Sequence, residues 1–289
     1  TLFTVIANTI MDPIFIFVFE MGIKGAAIAT ILCQMMALAY TLYFFSKKER
    51  IIHFKKGVYG WDGKIAKASL SIGMGPFLMN FASCIVSLFI NQQLKTHGGD
   101  IAIGAYGIAN RITFFFLMIC MGFNQGMQPI ASYNWGAKQY SRVRNVFWLT
   151  TECVTVVTVI CFLICYLCPH VAVRLFTEDP ILENHAIYGL KIMNMSIALI
   201  SLNLVASNLY QNIGMIGKSI FLSLSRQLLI LVPLLYILPL SMNEDGVWTS
   251  FPISDFLSFV LAAILISTTF RKFKKLKDGE DIASYGIKI

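Results

Sequence analysis

Residues 146–169 read VFWLTTECVTVVTVICFLICYLCP, an apolar stretch in which Glu152 is the only charged residue. A helix needs about 20 predominantly apolar residues to cross the hydrocarbon core of a bilayer. This stretch is long enough, and its carboxylate lies near one end, where it would reach the membrane interface. It therefore predicts a transmembrane helix, and it decides the fold because similar stretches fill most of the chain.

The composition of the whole chain agrees with a membrane protein. Apolar residues make up 57% of the 289 residues and charged residues 13%, whereas soluble domains carry about 25% charged residues. The formal net charge of +8 does not indicate nucleic-acid binding, because the basic residues lie between apolar stretches, where they orient helices in a bilayer. All 7 cysteines fall within apolar stretches, so we expect buried thiols that pack as small apolar groups.

These stretches predict an all-α, polytopic membrane protein with about eight transmembrane helices. Thr1 lies inside the first stretch, with no charged segment or cleavage site before it, so we expect a chain truncated at its N-terminus. The predicted helices span about residues 1–19, 25–46, 69–94, 101–131, 146–169, 186–212, 220–240 and 247–270.

Basic residues concentrate in alternate loops. They lie within residues 47–67 and 138–144, at Lys218 and in the tail at 271–277, whereas the intervening loops carry mainly acidic residues. Loops rich in Lys and Arg stay on the cytoplasmic side. The sequence therefore predicts a multi-pass protein of the plasma (inner) membrane with a cytoplasmic C-terminus.

The first two predicted helices resemble the last two. Pro13 and Pro233 occupy equivalent places in the first helix of each pair, and Gly25 and Gly246 begin the second helix. The alternative is chance similarity between two hairpins, but two-fold repeats are common in transporters. The repeat predicts four segments, namely the last two helices of a first bundle at 1–50, a cytoplasmic loop at 51–68, a second six-helix bundle at 69–272 and a basic cytoplasmic tail at 273–289.

Polar residues in the first hairpin form a candidate cation site. Asn8 and Asp12 are four residues apart and so share one helix face, and Pro13 frees backbone carbonyl groups nearby. Close packing at Gly25 would bring Thr30 towards Asp12, and carboxylate, amide and hydroxyl oxygens suit a hard cation. The alternative is a helix end near the headgroups, where Asp12 acts as a cap.

Other polar residues are candidates for lining a substrate cavity. Gln34 shares a helix face with Thr30, and Asp255 either caps the break at Pro252 or lines the cavity. Arg111 either extends to the interface or has a buried partner. We expect Arg226 to anchor its helix near the cytoplasm.

No constellation typical of an enzyme is present in the sequence. We find no phosphate-binding glycine loop, no His/Cys set with metal spacing and no nucleophile elbow. We therefore predict a protein that is not an enzyme and has no cofactor or metal beyond a coupling ion.

Residues 127–137 read MQPIASYNWGA and are followed by Tyr140 and Arg142. This pattern resembles the signature after the eighth helix of multidrug and toxic compound extrusion (MATE) transporters. Similar matches lie at residues 8–17, 25–30, 226–239 and 252–255. The resemblance covers essentially the whole chain and implies twelve helices in two bundles, of which this chain would hold helices five to twelve.

The resemblance also implies site residues. One branch of the family has a cation site in its first bundle, and its Asn, Asp and Thr match Asn8, Asp12 and Thr30, while a further Asp comes from a first helix that this sequence does not contain. Another branch uses carboxylates in helices seven and ten. Here neither helix has an Asp or Glu, and the seventh offers Asn80 as a further candidate for the cavity.

The function that the resemblance implies is antiport driven by H⁺ or Na⁺. Its substrates would be small amphipathic, often cationic, organic compounds, and the protein would work in the lipid bilayer, as a monomer and without nucleic acid. One alternative is a lipid-linked oligosaccharide flippase, which would carry several cationic cavity residues, whereas only Arg111 and Lys191 are candidates here. The other alternative is a receptor or scaffold that transports nothing.

Overall fold

The computed structural model describes residues 2–47, 53–54 and 60–275, and every regular element in these ranges is a helix. The predicted all-α class is therefore confirmed. The chain divides into two compact units, Thr1–Ala66 and Lys67–Ile289, which are considered separately below.

The first unit contains a helical hairpin. Helix α1 (Leu2–Pro13) continues into a π-helical turn at Ile14–Val18, and α2 spans Gly22–Ser46. A Cβ atom on Gly25 would lie 2.5 Å from the carbonyl oxygen of Phe15, so a larger residue would push α2 away from the preceding segment. The close packing expected at Gly25 is thus present.

The long helix α3 spans Gly63–Gly136, so that all but its first residues belong to the second unit, and it is broken at Gly99. Gly99 has a φ of 73° and a ψ of −164°, a backbone conformation that glycine adopts without steric cost. An unbroken helix of this length would measure roughly 110 Å, far more than the roughly 30 Å of a bilayer core. The break falls between the predicted helices 69–94 and 101–131, so α3 supplies two passes.

The next helices follow in short order, with bends where the chain turns. These helices are α4 (Tyr140–Leu167), α5 (Pro169–Arg174), α6 (Pro180–Met193) and α7 (Ile197–Asn212). Helices α6 and α7 meet at 57°, and only together are they long and apolar enough to cross a membrane. The buried Asn194 lies at this bend, where its Nδ2 donates to the Leu190 carbonyl (3.0 Å) and its Oδ1 accepts from Thr113 Oγ1 (3.0 Å).

The last two spans form a second hairpin. The first of them contains α8 (Ile216–Leu224), a π-helical segment (Ser225–Leu231), α9 (Val232–Ile237) and α10 (Pro239–Met242), and the second is α11 (Glu244–Lys275). A Cβ atom on Gly246 would lie 2.4 Å from the carbonyl carbon of Leu238. Gly246 therefore permits the same close helix approach as Gly25, its counterpart in the predicted repeat.

By length and composition, the described residues contain five helices able to cross a membrane, or six if the bent α6–α7 pair is one span. The predicted eight count α3 twice and include the shorter apolar helix Thr4–Val18. The predicted tail at 273–289 lies largely outside the described residues. Of the predicted loop at 51–68, residues 51–52 and 55–59 lie outside them, and the residues from Gly63 onward already belong to a helix.

The expectation of buried cysteines needs correction. Four thiols are buried, at Cys33, Cys120, Cys161 and Cys165, but Cys84 and Cys168 are exposed and Cys153 is half-buried. An apolar stretch places a residue at membrane depth without saying whether it faces the bundle or the lipid, and this explains the difference.

Candidate functional site

A buried ion pair lies inside the second unit. Arg226 Nε donates to Asp255 Oδ1 at 2.8 Å, and the side chains are 27% and 3% exposed, respectively. Ser254 Oγ donates to the backbone carbonyl of Arg226 at 3.0 Å, so α11 is bonded to the π-helical segment twice. A lone charge at membrane depth is costly, and here each charge has its partner.

The local backbone explains how the pair is held. Arg226 and Gln227 belong to the π-helical segment Ser225–Leu231, and such wide turns recur at functional sites. Asp255 lies one turn after Pro252, whose carbonyl accepts from Ser196 Oγ at 3.1 Å. Side-chain hydroxyls thus bond α11 to the bend between α6 and α7 through Ser196 and to the π-helical segment through Ser254.

The ion pair lines a cavity of about 300 Å³, which we call the inner cavity. Its polar wall also contains Asn110, Thr113 and Asn194. Its size lies at the lower end of the range for small-molecule sites. The inner cavity therefore combines a charge pair with neutral hydrogen-bonding groups, which are the groups that bind polar parts of a ligand.

A second cavity of about 400 Å³ adjoins the first, and we call it the outer cavity. Arg226, Gln227 and Ser83 line both cavities, and Gln227 Nε2 donates to Ser83 Oγ at 3.0 Å. Asn203 and Asn208 add amide groups to the outer cavity. Arg226 consequently lies where the two cavities meet.

A larger hollow of about 650 Å³ lies elsewhere, between the C-terminal half of α3 and α4. Its lining is almost entirely apolar, with Thr150 and Cys153 as the exceptions. A surface of this kind suits lipid chains and offers little chemistry for recognition. We therefore place the candidate site at the inner and outer cavities.

The predicted cation-site residues are partly together. Asn8 Nδ2 donates to Asp12 Oδ1 at 3.1 Å, and both side chains are half-buried. Thr30 is exposed, and its hydroxyl donates to the Ala26 carbonyl of its own helix at 2.9 Å. The buried face of α2 contains Ala29, and the next residue along a helix points about 100° away. Thr30 therefore does not join the Asn8–Asp12 pair in this structure.

The predicted cavity residues divide in the same way. Asp255 lines the inner cavity and Asn80 the outer one. Gln34 is exposed on α2. Arg111 is exposed and lines neither cavity, although its neighbour Asn110 does. Tertiary packing decides these outcomes, since each residue has the right depth but only some face the bundle.

Arg226 is the functional candidate that the sequence interpretation missed. It was expected to anchor its helix near the cytoplasm, yet it lies at the junction of the cavities and pairs with Asp255. One signal was available: opposite charges in two consecutive apolar helices are each costly alone and cheaper as a pair. Within the part of the chain described, no group of three His, Cys, Asp or Glu side chains is placed to hold a metal ion.

Comparison with known proteins identifies a family that this chain resembles. A family model described as MatE matches residues 72–237, more than half of the chain. The multidrug export protein MepA of Staphylococcus aureus (strain N315) is 29% identical over 259 residues, covering 90% of this chain and 56% of that protein. MepA of Staphylococcus saprophyticus is 26% identical, covering 91% of this chain and 57% of that protein. The chain thus spans just over half the length of these relatives.

Solved structures show the same fold. A crystal structure of MATE in complex with MaL6 gives a TM-score of 0.86 at 20% identity, covering 94% of this chain and 62% of that one. A second structure gives a TM-score of 0.84 at 21% identity, with the same coverage. It is the outward-facing conformation of a multidrug resistance MATE family transporter of the MOP superfamily. The predicted MATE-like helix bundle is confirmed by these superpositions.

The family match also bears on two predictions made from the sequence. It confirms the resemblance on which the fold expectation rested, and it supports the prediction that the chain is not an enzyme, because this family consists of membrane transporters. From the match over residues 72–237 we conclude that the chain belongs to the MATE family.

Proposed function

We propose that this protein exports small amphipathic organic compounds, often cationic, by antiport with H⁺ or Na⁺. The observation that carries the proposal is the family match over residues 72–237. The relatives named as multidrug export proteins support it, with 28–29% identity over 90% of this chain in Staphylococcus aureus. The polar cavities in an otherwise apolar bundle would serve for substrate binding.

The coupling ion would bind at the Asn8–Asp12 pair. The 3.1 Å contact between these side chains holds a carboxylate beside an amide on one face of α1. Pro13 ends that helix, and the π-helical turn Ile14–Val18 follows directly. A carboxylate at this depth would be costly without a function. Binding of an ion to Asp12 would favour one conformational state over the other and so drive exchange.

Thr30 would serve the cation site only after a rearrangement. In the present conformation its hydroxyl is exposed and bonded to Ala26. A transporter alternates between at least two states, and α2 would have to rotate in one of them to bring Thr30 to Asp12. We propose no cofactor besides the transported ion.

The flippase alternative is disfavoured by the charges of the cavities. A lipid-linked oligosaccharide carries a diphosphate, and a site for it would expose several cationic residues. Of the described residues that line the two cavities, Arg226 is the one cation, and it is paired with Asp255. A receptor or scaffold that transports nothing is disfavoured by the export activity named for the relatives.

The proposed setting is the plasma (inner) membrane, with the C-terminus in the cytoplasm and the protein acting as a monomer. The alternation of basic and acidic loops supports this orientation. Small organic substrates would enter from the cytoplasm or from the inner leaflet and leave on the opposite side.

Export from cells tests the proposal. Cells without endogenous drug pumps, expressing the protein from its full reading frame, are loaded with the cationic dye ethidium, and its loss is followed by fluorescence. We expect faster loss than in vector controls, and collapse of the proton or sodium gradient should stop it. Equal rates with and without the protein would contradict export, and export that survives collapse of both gradients would contradict antiport.

A further inference from the structure

The guanidinium of Arg226 has hydrogen-bonding capacity to spare. It carries five N–H donors in a fixed fork, and Nε uses one of them on Asp255 at 2.8 Å. Among the described residues, neither terminal nitrogen of Arg226 has a hydrogen-bond partner. These donors lie at the junction of the inner and outer cavities.

The accessible charge at this junction is positive. Among the residues that the structure describes, Arg226 and Asp255 are the charged ones that line the inner cavity, and Arg226 is the charged one that lines the outer cavity. The Asp255 side chain is 3% exposed, whereas that of Arg226 is 27% exposed. A ligand would therefore meet the guanidinium, with the carboxylate behind it.

Apart from Ser83 and Gln227, the remaining wall of the junction is apolar and partly aromatic. Phe114, Leu117 and Ile200 line both cavities. Elsewhere in the inner cavity, Tyr106 and Phe251 are stacked, with ring centroids 6.0 Å apart. A flat aromatic compound would pack against this wall while one of its edges reached Arg226.

We propose that the junction of the two cavities binds the carboxylate of an aromatic compound, with Arg226 as the residue that contacts it. This inference rests on the proposed function and names the substrate chemistry of this bundle, which differs from the organic cations that the family resemblance implies. Asp255 is a positioning residue, since it holds the guanidinium through Nε and leaves the terminal nitrogens for the ligand. Zwitterionic aromatic compounds would satisfy both this site and an exporter of amphipathic cations.

Geometry favours this ligand over a cation. A cation that approached Asp255 would meet Arg226 first and would be repelled by it. A carboxylate can instead accept two parallel N–H bonds from the free end of the fork, and such charge-assisted bonds are about twice as strong as neutral ones.

The test compares two dyes that differ in one group. Rhodamine 110 has a free carboxylate, and rhodamine 123 is its methyl ester with the same ring system. Binding to the purified full-length protein in detergent is measured by fluorescence anisotropy, with empty micelles as the blank. We expect rhodamine 110 to bind about tenfold more tightly, as a charge-assisted hydrogen bond would give.

The key variant replaces both members of the pair, as Arg226→Gln with Asp255→Asn. This double change removes the guanidinium without leaving a buried charge alone, so folding should survive. The affinity ratio between the dyes should fall to about one. Arg271→Gln is the matched control, because Arg271 is exposed near the end of α11 and lines neither cavity. It should keep the wild-type ratio.

Two results on the dye preference would overturn the inference, namely no preference for rhodamine 110 in the wild type or an unchanged preference in the double variant. Loss of binding of both dyes in the double variant would also overturn it, because the pair would then have a structural role. The assay needs no ion gradient or transport. Failure of export with an intact dye preference would thus count against the proposed function alone.

Discussion

Arg226 Nε and Asp255 Oδ1 lie 2.8 Å apart although the residues are 29 positions apart in the sequence. Each belongs to a different membrane span, and both line the inner cavity. The pair joins the π-helical segment to α11 at the place where the two cavities meet. A substitution in the pair therefore affects both the packing of the two elements and the wall of the cavity.

Single substitutions in the pair should be more harmful than the double one. Removing one partner of a buried ion pair leaves an uncompensated charge and costs about 3–5 kcal/mol. Arg226→Gln should lower the melting temperature in detergent more than Asp255→Asn, because Asp255 is the more deeply buried of the two. The double variant should melt above both single variants. Simple addition of the two losses would show that the side chains do not interact.

Gly189 should be intolerant of a side chain. A Cβ atom there would lie 2.6 Å from the ring of Trp248, which is fully buried. Overpacking of this kind costs about 1–3 kcal/mol, so Gly189→Ala should lower the melting temperature. Gly107→Ala is the control, because nothing lies within 4 Å of its Cβ position, and alanine favours a helix by about 1 kcal/mol. Equal melting of the two variants would contradict the packing described.

Gly25 in α2 and Gly246 in α11 should respond alike to substitution by alanine. In Gly25→Ala and Gly246→Ala the new methyl group would meet backbone atoms at 2.5 and 2.4 Å, respectively, and backbone cannot move aside as a side chain can. Both variants should lower the yield of folded, monodisperse protein in gel filtration. Gly217→Ala, with open space around its Cβ position, should behave as wild type. Tolerance of either alanine would remove the structural equivalence of the two hairpins.

Cys168 provides a test of orientation. It is exposed at the end of α4, and the proposed topology has that end outside the cytoplasm. In a variant whose other cysteines are replaced by alanine, a membrane-impermeant maleimide should label Cys168 in intact cells. Arg142→Cys in a background without other cysteines should react only after the cells are opened. The reverse pattern would invert the proposed topology.

Hydropathy and spacing were sufficient to predict the helices and one contact of the candidate sites. Asn8 and Asp12 were expected on one face because four residues make about one helical turn, and their side chains do meet. The Arg226–Asp255 contact was not predicted, since a span can rotate about its axis without any change in hydropathy. The same freedom explains why Thr30 and Arg111 have the expected depth but are exposed. Local periodicity fixes neighbours within a helix, whereas contacts between helices depend on packing.

We propose that export is coupled to an ion bound at Asp12, and a single substitution separates this function from a structural one. Asp12→Asn keeps the size and an acceptor oxygen of the side chain but removes the charge that would load and release the ion. The measurement is gradient-driven dye transport in proteoliposomes, with the melting temperature as a folding control. Asn8→Ala and Thr30→Ala should reduce the rate less, because each removes a neutral group.

We expect Asp12→Asn to fold and melt as the wild type does and to transport no more dye than empty liposomes. Wild-type rates from this variant under the same gradient would contradict coupling at Asp12. Loss of folding would contradict it too, because Asp12 would then be a structural cap beside Pro13.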